Sequence, residues 1–206
     1  MKFSFDNIYD DNKFKADLKA NDITVLVGPN GHGKTAFLNS MKCYADKKKI
    51  PCVAWSDMEF GRQNGKSLLL MNGHTEALAE MSFRSEGESI LASFAHFFMG
   101  RARSVAQKAQ TDRKKKMFLL LDQLDSGLDI HQLDEIKAVI KDTVLPDITD
   151  RGITVFVVMS ANSYEMVAGE DCLDPVTGEH HRFDTLESFR RHINETYKQY
   201  ERNGQE

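Results

Sequence analysis

The sequence predicts an α/β domain built on a mainly parallel sheet with helices on both of its faces. Two observations carry that expectation. Ile23 to Val27, Met117 to Leu121 and Ile153 to Met159 are unbroken apolar runs, the pattern of strands buried on both faces rather than half-exposed. Segments with the 3.6-residue period of amphipathic helices separate and follow those runs. A chain of 206 residues, 41% hydrophobic and 28% charged, is enough for one such core.

The elements follow in chain order. Lys2 to Phe5 and Phe14 to Lys19 alternate with period two and read as strands around an acidic turn at Asp10, Asp11 and Asn12. After the strand at Ile23 comes a glycine-rich turn, then a helix marked by Phe37, Leu38, Met41, Tyr44 and Ala45. Pro51 to Trp55 reads as a strand and Ser67 to Met71 as a weaker one. Ile90, Leu91, Phe94, Phe97 and Phe98 share one helical face. Leu133, Ile136, Val139, Ile140 and Val144 form a helix expected to stop before Pro146. Asp174-Pro-Val-Thr-Gly178 is a turn opening a small hairpin, and Leu186, Phe189, Ile193, Tyr197 and Tyr200 mark a final amphipathic helix. Residues 170–206 are thus expected as a hairpin-and-helix extension of one domain covering 1–206.

Composition excludes several classes. The longest apolar run, Ile153 to Met159, is far short of the roughly 20 residues that span a bilayer. The acidic, alternating start is neither a signal nor a transit peptide. Cys43, Cys52 and Cys172 form no C-x-x-C pair, which suits a reducing, cytoplasmic setting and argues against a disulfide framework or a zinc site. A net charge of −4 implies no obligate polyanion partner.

Gly28-Pro-Asn30-Gly31-His32-Gly33-Lys34-Thr35 matches G-x-x-x-x-G-K-[ST] between a strand and a helix that begins near Ala36. Glycines let successive N–H groups turn inward as an anion-binding nest, and the helix N-terminus adds its positive dipole end. Lys34 is expected at the β- and γ-phosphates of ATP and Thr35 on Mg²⁺. His32 is read as a loop position whose ring points away from the phosphates, since this chemistry needs no base there. Farther along, Met117 to Asp122 is an apolar strand ending in a carboxylate placed to hold Mg²⁺ together with Thr35.

Asp122-Gln123-Leu124-Asp125-Ser126-Gly127-Leu128-Asp129 resembles the Walker B and D-loop stretch of the ATP-binding cassette (ABC) ATPases, whose D-loop reads S-[AG]-L-D. Phe83-Arg84-Ser85-Glu86-Gly87-Glu88 is similar to their signature, upstream of Walker B. The resemblance runs from residue 2 to about 165. The Asn-Gly-His-Gly-Lys loop and the compact first strands look most like the SMC and RecF branch, whose members handle DNA or act with nucleases. About 50 residues separate Lys34 from Ser85, leaving no room for a coiled-coil arm and little for a helical lobe. The resemblance implies a P-loop NTPase head with a reduced lobe that dimerises head to tail. Each ATP would lie between one subunit's P-loop and the other's Ser85, Gly87, Glu88 and Asp129. A capping box closed by Ser85 and Glu88 is the plainer reading of the signature, and the two are compatible.

Two positions depart from that family. Gln123 stands where it has a catalytic Glu, and an amide orients water but is a very poor proton acceptor. Asn162 stands where it has a γ-phosphate-sensing His, with a helix N-cap as the alternative role. Both changes preserve binding and weaken turnover. Gln63, lone glutamine between P-loop and signature, is either the family's Mg²⁺-touching glutamine or part of a solvated turn.

Arg101, Arg103, Lys108 and Arg113 to Lys116 set seven positive charges against Asp112 within sixteen residues. Such density suits DNA phosphates or, more blandly, a solvated helix end. The function expected is a slowly hydrolysing, nucleotide-gated homodimeric switch or clamp with a DNA or nuclease partner. The alternative is a non-hydrolysing ATP-binding scaffold module. A small P-loop kinase would have no use for a D-loop.

Overall fold

The computed structural model describes residues 1–56, 94–125 and 128–203. A hairpin of β1 (Lys2–Asp6) and β2 (Lys13–Asp17) comes first, then β3 (Asp22–Leu26), α1 (Lys34–Lys48) and β4 (Cys52–Ser56). A π-helical turn, Phe94–Met99, leads into α2 (Gly100–Thr111) and β5 (Lys116–Asp122). Next come α3 (Ile130–Val139), a second π-helical stretch (Ile140–Val144), α4 (Leu145–Thr149) and β6 (Thr154–Ser160). The chain continues through α5 (Tyr164–Val167), β7 (Asp171–Leu173), β8 (His180–His181) and α6 (Leu186–Asn203).

Six strands form one sheet in the order β4-β5-β6-β3-β7-β8, parallel throughout except for the last pair. The three apolar runs occupy its centre, where both faces are covered, so no alternation is needed. Side chains still sort by parity. Ile23, Val25, Met117, Leu119, Val155 and Val157 face α2 to α6. Leu26, Phe118, Leu120, Phe156 and Val158 face α1 and the β1–β2 hairpin. On the second face Phe3 packs edge-on against Phe118 and Phe156, with centroids 5.3 and 5.1 Å away. Burying each such ring contributes about 1.5–3 kcal/mol. Phe14 is buried in this layer, its ring edge-on to Phe37.

Two expectations are corrected. The helix after β5 does not stop before Pro146: the π-helical stretch passes into α4, with Pro146 in its first turn. The π turn immediately before it already loosens the hydrogen-bond register that a proline would break inside an unbroken α-helix. The C-terminal hairpin is not an appendage either. β7 pairs in parallel with β3, Val25 against Cys172, and thereby extends the central sheet. Ser67 to Met71, Ile90 and Leu91 lie outside the described residues.

Lys47 and Lys48 end α1, where cations complement the helix dipole. The three cysteines are free thiols, and burial pushes Cys52 and Cys172 up to about 12. No helix among the described residues is long and apolar enough to cross a membrane.

Candidate functional site

The loop between β3 and α1 is a cradle built from left-handed glycines. Gly31 and Gly33 have φ of 82° and 87°, and an added Cβ at either would meet nothing within 4 Å. Helix α1 starts on Gly33 with no side-chain cap and no acidic residue in its first turn. Its first amides, those of Lys34, Thr35 and Ala36, have no acceptor one turn back, so the helix end is unclaimed and electropositive. This arrangement suits an anion.

Lys34 is buried, and its Nζ donates to the carbonyls of Gly28 (2.5 Å) and Pro29 (3.1 Å). Burial holds the ammonium below its ordinary value of 10.5, against the pull of Asp125 and Asp122. Thr35 donates from Oγ1 to Asp122 Oδ1 at 3.3 Å, joining groups 87 positions apart. The juxtaposition comes from the sheet: β6 lies between β3 and β5, so both strand ends open on the same edge.

β6 brings a residue that the sequence reading passed over. Ser160 donates from Oγ to Asp122 Oδ1 at 2.6 Å and accepts the Gln123 backbone N–H at 2.8 Å. The signal was present: a hydroxyl one position beyond a buried apolar run, as Asp122 is. Gln123 itself is left-handed, with φ of 53°, at a cost of about 1–2 kcal/mol for a residue with a Cβ. That turn exposes its side chain at the strand end.

A cleft of about 550 Å³ is lined by Asn30, Gly31, Gln123, Asp125, Asn162 and Ser163. Gln123 and Asn162, singled out separately in the sequence, therefore share a wall with the P-loop. Asp125 fastens that wall. Its Oδ2 accepts the N–H groups of Asn162 (2.6 Å) and Ser163 (2.7 Å), capping the short α5, whose N-cap is Ser163 rather than Asn162. A second cavity of about 640 Å³ continues past Asn30 and Asn162 to Phe189, Arg190 and Ile193. Helix α6 thus reaches the P-loop, which its sequence gave no sign of.

Asp129 caps α3 in a reciprocal box with Gln132, at 2.9 and 3.0 Å. The His32 ring turns away from the cradle, and its Nε2 lies 3.0 Å from Asp174 Oδ1 with both residues buried. Ser85, Gly87, Glu88 and Gln63 lie outside the described residues, as do Ser126 and Gly127.

The chain matches no protein-family model and no curated protein.

Proposed function

We propose that this protein binds ATP with Mg²⁺ at the Gly28–Thr35 loop and hydrolyses it slowly, acting as an ABC-type, nucleotide-gated homodimer. One observation carries the reading: the Thr35 hydroxyl meets the Asp122 carboxylate beside an uncapped helix start, with buried Lys34 in the same loop. A hydroxyl and a carboxylate are hard oxygen donors of the kind Mg²⁺ takes alongside phosphate oxygens. When bound, the ion neutralises phosphate charge.

The residues would divide the work as follows. The amides of Gly31, Gly33, Lys34, Thr35 and Ala36 hold phosphate oxygens, the His32 N–H being taken by the Pro29 carbonyl. Lys34 leaves the Gly28 and Pro29 carbonyls for the β- and γ-phosphates. Gln123 orients the attacking water through its amide but takes up its proton poorly. Asn162, lining the same cleft, donates a neutral hydrogen bond to the γ-phosphate. In the closed dimer, Ser85, Gly87, Glu88 and Asp129 of the second copy complete the site, with Gln63 on the metal. A DNA or nuclease partner follows from the resemblance and the basic stretch along α2.

Calorimetry of Mg-ATP binding tests the reading. Lys34→Ala should abolish binding while circular dichroism shows the fold retained. Wild-type affinity should fall as the pH rises through the lowered Lys34 value, because only the protonated amine attracts phosphate. Undiminished affinity in the folded variant would refute the phosphate cradle. A turnover assay then separates the switch from the non-hydrolysing scaffold, which the amide at Gln123 keeps in view.

A further inference from the structure

On the far side of the P-loop from the cleft, the C-terminal segment gathers a set of metal-binding side chains. Asp174 follows β7, His181 is on β8 and His192 is on α6, and one ligand atom from each lies within 4.8 Å of the other two. The Nε2 atoms of His181 and His192 are both buried and, among the described residues, have no hydrogen-bond partner. Their ring centroids are 4.4 Å apart. Leaving two buried imidazole nitrogens unsatisfied costs about 1–3 kcal/mol each, and a shared ion removes that cost.

We propose that Asp174, His181 and His192 bind a divalent transition-metal ion, zinc by preference, that locks the C-terminal hairpin and α6 onto the P-loop. Two imidazoles and one carboxylate select a borderline ion such as Zn²⁺ over Mg²⁺, which favours oxygen donors throughout. Ligands of a tetrahedral zinc at about 2.0–2.1 Å lie about 3.4 Å from one another. Small side-chain rotations close the difference.

The carboxylate is already oriented for this task. Asp174 Oδ1 accepts the N–H groups of Val176 (2.8 Å) and Thr177 (3.1 Å) as well as the 3.0 Å contact from His32. Among the described residues, Oδ2 receives only the 3.1 Å contact of the same His32 ring and keeps a lone pair free. Phe183 closes the site, with its ring 5.2 Å from His192 and stacked 6.1 Å from His181. An apolar wall of this kind limits solvent access, and a single water would supply the fourth ligand.

His32 carries the connection onward. It sits behind the Asp174 ligand, and its ring packs so closely on Gly28 that an added Cβ there would fall 2.2 Å from His32 Cδ2. The zinc reading argued against from cysteine spacing thus returns through histidines that the sequence did not single out. It stands independently of the nucleotide reading.

The experiment titrates the metal-free full chain with Co²⁺ and Zn²⁺, without nucleotide. Co²⁺ should give the intense visible absorption of a four-coordinate site at one equivalent, and Zn²⁺ should displace it. His181→Ala and His192→Ala should each abolish the spectrum, while His32→Ala weakens Zn²⁺ affinity about 10–100-fold, as loss of a residue behind a ligand does. The thermal midpoint of the wild type should rise with Zn²⁺, and that of His192→Ala should not. Absence of the Co²⁺ spectrum in folded wild type would overturn the proposal even if no variant folds. So would Zn²⁺ binding that survives both histidine substitutions.

Discussion

Gln123 concentrates the residue-scale chemistry. Its backbone is held by Ser160 in a left-handed turn, and it lines the cleft together with Asn162. A glutamate there would supply a general base, an effect worth about 10²–10⁴-fold in rate. Gln123→Glu is therefore expected to raise single-turnover hydrolysis within that range, since the Ser160 contact is to the backbone and survives. The rival base, Asp125, accepts two backbone N–H groups through one oxygen and is positioned as a fastener. If Asp125→Asn removes turnover while Gln123→Glu changes nothing, the assignment at 123 is wrong. The cradle residues were legible because a phosphate nest needs fixed residue types at fixed spacing. Ser160 and Asp125 were not, because a single hydroxyl or carboxylate gains its role only from which strand ends the sheet sets side by side.

At the scale of elements, the informative one is the helical stretch from Ile130 to Thr149. Its apolar periodicity was readable, its continuation through Pro146 was not, because a π turn resets the hydrogen-bond register and no residue type announces it. Pro146 follows a π turn, where the register is already loosened and its missing N–H costs little. Pro146→Ala should thus change stability by less than about 0.5 kcal/mol, as at ordinary tolerant sites, whereas proline in a helix interior costs about 3 kcal/mol. Urea denaturation of the two chains reads the difference. A stabilisation of several kcal/mol on replacement would mean that Pro146 strains the helix, against its first-turn placement.

For the whole molecule, the parallel sheet was legible from three apolar runs, because strands covered on both faces admit little else. The place of β7 beside β3 was not: three residues, Asp171–Leu173, carry too little pattern to name a neighbour. Assembly is the remaining large-scale question. A γ-phosphate shared between two copies adds charge-assisted hydrogen bonds that ADP cannot make. Sedimentation is expected to find a dimer with ATP and a monomer with ADP or with Ser85→Arg. The same dimer under all three conditions would remove nucleotide gating and favour a constitutive scaffold.

The strand order also governs how the protein is made. β3, which carries the cradle, pairs with β6 and β7 and with neither of the elements that flank it in sequence. On a ribosome those partners emerge more than a hundred residues later, so Ile23 and Val25 cannot pair until then. Contacts of such long range form slowly and leave apolar strands open to aggregation. The strand that carries the cradle therefore completes its pairing only when residues as distant as Leu173 are present, a contact of the slow-forming kind.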